Sequence, residues 1–353
     1  MNVQCESGVS VIIPARNEEW NIEGVVRSLA SQAGVCRIIV VDDQSEDRTP
    51  EILRRLESEF SNVFVRRIES LPPGWHGKPY AASEGTKLAT ANWLLFTDAD
   101  TRHKPGSVAA LRKLAEARGA AMLSISPAQR TERWWEKAVI PLVYIQLAAL
   151  YDFEDVSNPN SAAAAANGQY ILIRRDVLGA VGGFESVRDD ILEDVALARR
   201  VKASGGRILF LPGAEWVETR MYRTFGGMWR GWTKNLFLLF GSSRRKMAMA
   251  ALRLLLVQWA PGAALVFFTA MIISGVFALW ILLAWGACLI AFVVQQRAHK
   301  DLLQRLGFSP SLSPYILAGA PMVVALMVSS AWAYRSGGSI QWKGRYYPAK
   351  GAR

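Results

Sequence analysis

Between Arg253 and Arg297 stand 43 consecutive residues without a single Asp, Glu, Lys or Arg, and Leu306 to Tyr334 forms a second such stretch of 29. Helices of a soluble domain carry a charged face opposite their apolar one, so uncharged runs of this length belong to a bilayer. At ~1.5 Å per residue against a hydrocarbon core of ~30 Å, the first stretch has the length of two crossings joined near Ser274-Gly275. The second has room for one, roughly Ile316 to Tyr334. The 353-residue chain thus reads as a large domain, residues 1–245, followed by a membrane domain of about three transmembrane helices and a basic tail, residues 246–353.

Charge is distributed to match. Of the net +11, residues 247–353 hold nine Lys/Arg and one acid, Asp301, or +8, which leaves +3 for residues 1–246. The positive residues flank the apolar runs, as with Arg244-Arg245-Lys246 and with Arg297, Lys300 and Arg305. This is the pattern of cytoplasmic membrane borders facing anionic headgroups, and it argues against nucleic acid as a partner. Cys5, Cys36 and Cys288 are far apart, with no CxxC and no neighbouring His pair, so neither a disulfide framework nor a zinc site is expected. The polar start, Met1 to Gly8, leads directly into an apolar run and is not the pattern of a signal peptide.

Residues 9–240 alternate short β-branched runs with longer runs of helical period, the sequence form of a mostly parallel sheet covered by helices. Strands are expected at Val9–Pro14, Arg37–Val41, Val63–Ile68, Trp93–Thr97, Ala120–Ser126, Tyr170–Arg174 and Arg207–Leu211. Helices are expected near 18–32, 49–60, 79–91, 105–118, 131–150 and 191–204. In such sheets ligands bind beyond the carboxyl ends of the strands. Those ends are polar and acidic here: Pro14-Ala15-Arg16-Asn17-Glu18, then Asp42-Asp43-Gln44-Ser45, then Asp98-Ala99-Asp100. Taken singly, Asn17, Ser45, Asp47 or Thr49 could cap the helix that follows; three such clusters at successive strand ends make a concave rim.

Carboxylates gathered beside a phosphate ligand repel it unless a hard cation lies between them. Asp98-x-Asp100 suits Mg2+ or Mn2+, which take one or two carboxylates together with substrate phosphates. No GxGxxG follows the first strand, and Gly74-Trp-His-Gly77-Lys78 lacks the spacing and the Ser/Thr of a P-loop. That disfavours dinucleotide oxidoreductases and P-loop NTPases. It leaves a nucleotide diphosphate bound at acidic strand ends, with Lys78 a candidate to neutralise it. A further acidic cluster, Asp189-Asp190-Ile-Leu-Glu193-Asp194, can be read as a helix first turn complementing the macrodipole or as the carboxylate base of a transferase.

Val11-Ile-Ile-Pro-Ala-Arg-Asn-Glu18, Val40-Val-Asp-Asp43 with Ser45 and Asp47, Gly77-Lys78, Asp98-Ala-Asp100 and Glu193-Asp194 resemble, in order and spacing, the motifs of family 2 glycosyltransferases over about residues 9–240. Leu71-Pro-Pro-Gly-Trp-His-Gly-Lys78 and Gly226-Gly-Met-Trp-Arg-Gly-Trp-Thr-Lys-Asn235 look most like the hopene-associated and carotenoid-type membrane branch. The resemblance implies a GT-A (nucleotide-diphospho-sugar transferase) fold. It further implies that Pro14, Glu18 and Asp43 contact the nucleoside, Lys78 lies near the diphosphate, Asp98 and Asp100 engage ribose and metal, and Asp194 is the base. Glu193, Arg230 and Trp232 would be acceptor or diphosphate contacts, although Trp229-Arg230-Gly231-Trp232 departs from the Q-x-x-R-W spacing of the processive and ceramide-type relatives.

The implied reaction is inverting transfer from a nucleotide-diphospho-sugar, UDP-linked by resemblance, to a hydroxyl or carboxyl of a membrane lipid such as a hopanoid or carotenoid. The alternatives are a polyisoprenyl-phosphate or ceramide-type acceptor, and, in a different class, an inactive nucleotide-sugar-binding scaffold. The expected location is the cell (inner/plasma) membrane, multi-pass, with the catalytic domain cytosolic. Ala138–Tyr151 could lie in the interface or form a buried core helix; Trp134, Trp135, Trp229 and Trp232 could form an aromatic belt or pack internally. Three full crossings put the tail outside, whereas its five positive residues, Arg335, Lys343, Arg345, Lys350 and Arg353, favour the cytosol. Three crossings are the expectation, a cytosolic tail the alternative.

Overall fold

The structure, a computed structural model, describes residues 8–335 and 339–348. Cys5, Lys350 and Arg353 lie outside the described residues. In chain order the elements begin β1 (Val9–Ala15), α1 (Ile22–Ala30), β2 (Val35–Asp42), α2 (Thr49–Glu59), β3 (Val63–Arg67), α3 (Gly77–Leu88) and β4 (Trp93–Phe96). There follow β5 (Thr101–His103), α4 (Ser107–Ala117), β6 (Met122–Ser126), β7 (Ala128–Gln129), α5 (Trp134–Ala148) and α6 (Phe153–Ser157). Next come β8 (Ile171–Arg174), α7 (Arg175–Ala180), α8 (Glu193–Ala203), β9 (Ile208–Pro212) and β10 (Val217–Thr219). The remainder is α9 (Phe225–Leu239), α10 (Arg244–Arg253), α11 (Ala260–Ile273), α12 (Leu279–Arg305), α13 (Ile316–Ala333) and the hairpin strands β11 (Ser339–Trp342) and β12 (Arg345–Pro348). They divide into two compact units, one comprising the chain up to Arg130 with Tyr151–Met221, the other Thr131–Leu150 with the chain from Tyr222 onward.

The first unit is built on a seven-stranded sheet in the order β3-β2-β1-β4-β8-β6-β9. Only β8 runs antiparallel to its neighbours. All seven expected strands are present. Their nearly unbroken apolar character follows from burial on both faces: Val11, Ile13 and Val40 enter one core, and the alternate residues Ile12, Ile39 and Val41 enter the other. Helix α1 closes the first face with Ile22, Val25, Val26 and Leu29, all buried at helical spacing. Each such side chain contributes about 1.5–3 kcal/mol of burial. A second sheet has the order β5-β10-β7; it was not expected, because its strands are two or three residues long and carry Arg102, His103 and Gln129 in place of an apolar alternation.

In the second unit the two uncharged stretches give three helices long and apolar enough to cross a membrane, Arg244–Ile273, Leu279–Arg305 and Pro310–Ala333. The first two are separated at Ser274-Gly275, where Gly275 takes φ +83°, open to glycine at little cost. Residues 254–259 within the first are wound as a π-helix.

The third is packed differently. At its start the Trp259 indole donates to the Leu317 carbonyl, 2.9 Å. At its end Ser330 Oγ donates to the Thr233 carbonyl (2.7 Å) and accepts from the Phe237 amide (2.9 Å), and the Tyr334 hydroxyl donates to the Lys234 carbonyl (2.6 Å). Helix α13 therefore runs from the level of Trp259 back towards α9, alongside the segment that leads into the first apolar stretch. In its first turn Gly319 sits so tightly on α5 that a Cβ there would come within 2.0 Å of the Ala138 carbonyl oxygen. Helix α5 buries Ala138, Val139, Ile140, Leu142, Val143 and Ile145, so it is a core helix rather than an interfacial one. Trp135 and Trp232 are internal as well, while Trp134 is 59% exposed.

Candidate active site

The parallel strands β1, β2 and β4 end on one edge of the sheet, and the expected site residues of the first unit gather there. Pro14 closes β1 opposite Val41, Asp43 follows β2, and Asp98 and Asp100 follow β4. The loops after β1 and β2 are stitched together by side chains. The amides of Asn17, Glu18 and Glu19 donate to Ser45 Oγ, Thr49 Oγ1 and Asp47 Oδ2 at 2.9, 2.8 and 3.0 Å, and Asn17 Oδ1 accepts from the Glu46 amide at 2.9 Å. Arg16 Nη1 donates to the Asp43 carbonyl at 2.7 Å.

The capping reading of these residues holds only for Asp47, whose Oδ1 accepts from the amide of Thr49, the first residue of α2, at 3.0 Å. The N-caps of α1 and α2 are Asn21 and Arg48, neither with a side-chain cap hydrogen bond; Asn17, Ser45, Asp47 and Thr49 join loop to loop. Asn17 (φ 53°) and Gln44 (φ 58°) adopt left-handed conformations to make those turns, and the Glu18 carboxylate accepts from Asn21 Nδ2 at 2.8 Å.

Lys78, in the first turn of α3, reaches the end of β4. Its ammonium lies 2.7 Å from Asp98 Oδ1 and 2.9 Å from Glu193 Oε1, with 41% of the side chain open to solvent. Asp194, beside Glu193 in the first turn of α8, accepts from the Gly168 amide at 2.9 Å and from its neighbour Val195 at 2.8 Å. Four residues from three separate motifs thus form one cluster. Its fifth member, Gly168, is absent from the sequence-based set: a Cβ at this position would lie 2.7 Å from Lys78 Nζ and 3.3 Å from Asp194 Oδ2. The available signal is the run of small residues Ser161-Ala-Ala-Ala-Ala-Ala-Asn167 that leads up to it before β8.

The charges act on one another. Burial alone would push Lys78 down, but the carboxylates of Asp98, Glu193 and Asp194 outweigh it and hold the ammonium well above the ordinary lysine value. Asp194 is pushed up to about 6, first by burial and then by the Glu193 charge, against the lowering effect of Lys78 and the two amides. A carboxylate titrating there is ionised at neutral pH yet basic enough to accept a proton.

The Asp98–Asp100 turn is held from behind. Thr101 Oγ1 donates to the Asp98 carbonyl (2.8 Å), Thr219 Oγ1 to the Asp100 carbonyl (3.2 Å), and Thr97 Oγ1 to the Gln169 carbonyl (2.7 Å). His103 contacts Thr97 at 3.0 Å, and burial, assisted by the Arg102 charge, pushes it down to about 3, so it is neutral. Among the described residues no group of three or more His, Cys, Asp or Glu side chains could hold a metal ion by itself. The two carboxylates at the end of β4 fit a hard cation that completes its shell with diphosphate oxygens.

Arg230 and Trp232 belong to the second unit, on α9, whose N-cap Thr224 accepts from the Gly227 amide. Trp232 is 3% exposed, edge-on to Tyr144 and Tyr222. Gly231 is required there, since a Cβ would meet the Tyr222 hydroxyl at 2.3 Å. This is a packing role, whereas Arg230 is exposed.

A mostly parallel sheet with carboxylates at its strand ends, a lysine among them and an acid raised toward neutrality define a glycosyltransferase of the GT-A type. Residues 10–182 match the sequence model described as Glycosyl transferase family 2. The chain is 26% identical over 353 residues to a 4,4'-diaponeurosporenoate glycosyltransferase of Staphylococcus aureus (strain MRSA252), covering 96% of this chain and 88% of that protein. Identity to the protein of the same name from strain USA300 is 28% over 260 residues, 72% of this chain and 66% of that one. Among solved structures, a mannosyltransferase from Pyrobaculum calidifontis in complex with GDP-Man and Mn2+ shares the fold with a TM-score of 0.52 at 19% identity, covering 90% of this chain and 86% of that one.

Proposed function

We propose that the protein is an inverting glycosyltransferase that moves a sugar from a UDP-linked donor to a hydroxyl or carboxyl of a membrane lipid of hopanoid or carotenoid type. Residues 1–245 form the catalytic part on the cytosolic face of the cell membrane, and residues 246–353 anchor it. The observation that carries this reading is Asp194, fixed by the Gly168 amide and raised to about 6, beside a lysine clasped by Asp98 and Glu193. The lipid acceptor is supported by the apolar helices and by the relative named for an acceptor of that kind.

In the reaction, the acceptor oxygen attacks the anomeric carbon from the face opposite the diphosphate. Asp194 removes the hydroxyl proton as the new C–O bond forms, and the electron pair of the breaking bond leaves on the diphosphate. Lys78, at the end of a part-exposed side chain, stabilises that leaving charge. Asp43, Glu18 and Pro14 hold the nucleoside and Asp98 the ribose. A divalent cation at Asp100, Mg2+ or Mn2+, would neutralise part of the diphosphate charge. One base suffices because no second carboxylate has to act as nucleophile.

The test is a panel of labelled nucleotide sugars offered to the purified full-length chain in nanodiscs doped with extracted membrane lipids. Transfer of label to the organic phase from a uridine donor is expected. Failure of every donor to label any lipid would overturn the reading.

A further inference from the structure

Away from the catalytic cluster, the second unit carries a group of amides where its three apolar stretches meet. Gln258 lies in the π-helical segment, five residues after Arg253; Gln295 and Gln296 immediately precede Arg297 on α12; Ser313 stands just before α13. Gln295 Nε2 donates to the Gln258 carbonyl at 2.6 Å, and Ser313 Oγ donates to Gln296 Oε1. Gln258 Oε1, Gln295 Oε1 and Gln296 Nε2 are buried with no hydrogen-bond partner among the described residues.

Two features separate this group from ordinary packing. A π-helical turn frees a backbone carbonyl and is found disproportionately at functional sites, and here that turn bears Gln258 and receives the Gln295 amide. A buried polar atom without a partner costs about 1–3 kcal/mol, and three stand together where leucine would suit a membrane helix. Their depth is fixed by sequence: Arg253 and Arg297 mark the charged border, so the amides lie at about headgroup level, with the apolar lengths of α11 and α12 beyond them.

We infer that the amides of Gln258, Gln295 and Gln296 bind an uncharged, hydroxyl-bearing headgroup of a lipid whose chain lies along α11 and α12. A hydroxyl can give its one hydrogen bond to either amide oxygen and receive one from Gln296 Nε2. No ionised side chain belongs to the group, so a phosphate headgroup is not the match. The inference rests on the proposal of a lipid acceptor and is tested without turnover, so that either can fail alone.

The probes are a C18 alcohol with a diazirine next to its head group, the matching alkane and the matching alkyl phosphate, each with the full-length chain in phosphatidylcholine nanodiscs. The alcohol is expected to crosslink to peptides around Gln258 and Gln295, and the Gln295→Leu/Gln296→Leu double variant to lose this about tenfold, the scale of a lost pair of neutral hydrogen bonds. Alkane labelling should be unchanged in that variant, showing the helices intact. The single variants Gln258→Met, Gln295→Met and Gln296→Met, close in shape, repeat the comparison one amide at a time. Labelling of all four variants like the wild type, equal labelling of the wild type by alkane and alcohol, or displacement of the alcohol by the phosphate would each overturn the inference.

Discussion

The amide of Gly168 helps to position Asp194 and draws its proton affinity down, against the burial that pushes it up to about 6. Asp194→Asn should lower turnover on a hydroxyl acceptor by ~10²-fold or more while leaving donor affinity nearly intact. On a carboxyl acceptor the loss should be far smaller, because such an acceptor arrives already ionised. Comparing the two acceptors in one kinetic series separates them. In the wild type the rate should rise with pH through about 6 and level off, the base being needed ionised; a profile flat from pH 5 to 8 would remove Asp194 from the role. Gly168→Ala should impair turnover at least as severely as it impairs donor binding, because its methyl would sit 2.7 Å from Lys78 Nζ. Equal kcat in the variant would show that the lysine can move aside. For Asp100→Ala the expected outcome is loss of metal-dependent donor binding, read by calorimetric titration with and without Mn2+.

Acids were legible in the sequence because their density at strand ends is improbable for any packing purpose. Gly168 was not, because its contribution is a backbone amide and an absent side chain, and neither leaves a chemical signature.

Among the elements, the strands inside the main sheet were legible for the reason that they are stable: burial on both faces requires unbroken apolar runs, whereas the edge strand β3 buries only Val63. The short strands β5, β7 and β10 take their conformation from hydrogen bonds to one another and to the Asp98–Asp100 turn, so their own residues say little. Helix α9 opens with Phe225-Gly226-Gly227, a poor helix start rescued by the Thr224 cap. The pair α5–α13 depends on a small residue at the crossing, as closely packed membrane helices do. Gly319→Ala should therefore destabilise the second unit by about 1–3 kcal/mol, seen as a lowered melting temperature of the detergent-solubilised chain. An unchanged melting temperature would mean that the Ala138 carbonyl readily gives way.

For the molecule as a whole, length and composition favour three crossings and the positive tail favours the cytosol. The packing of α13 predicts which consideration prevails. Its first turn lies beside Trp259 and its last beside Thr233 and Phe237, so over ~20 Å it accompanies the chain entering the first apolar stretch rather than the chain leaving it. The tail should then share the face of Arg244-Arg245-Lys246. Tyr346, 69% exposed in β12, is a suitable reporter. In a Tyr346→Cys variant with Cys288 replaced by Ser, a membrane-impermeant maleimide should label only permeabilised cells; labelling of intact cells would restore the three-crossing topology.

A helix that turns back has a consequence for the product. Were the labelling to place the tail on the face of Arg244, both ends of the anchor would share one side of the membrane, and two crossings would give a lipid product no route between leaflets. A sugar added there would stay on that side, and its display on the other would fall to a separate flippase.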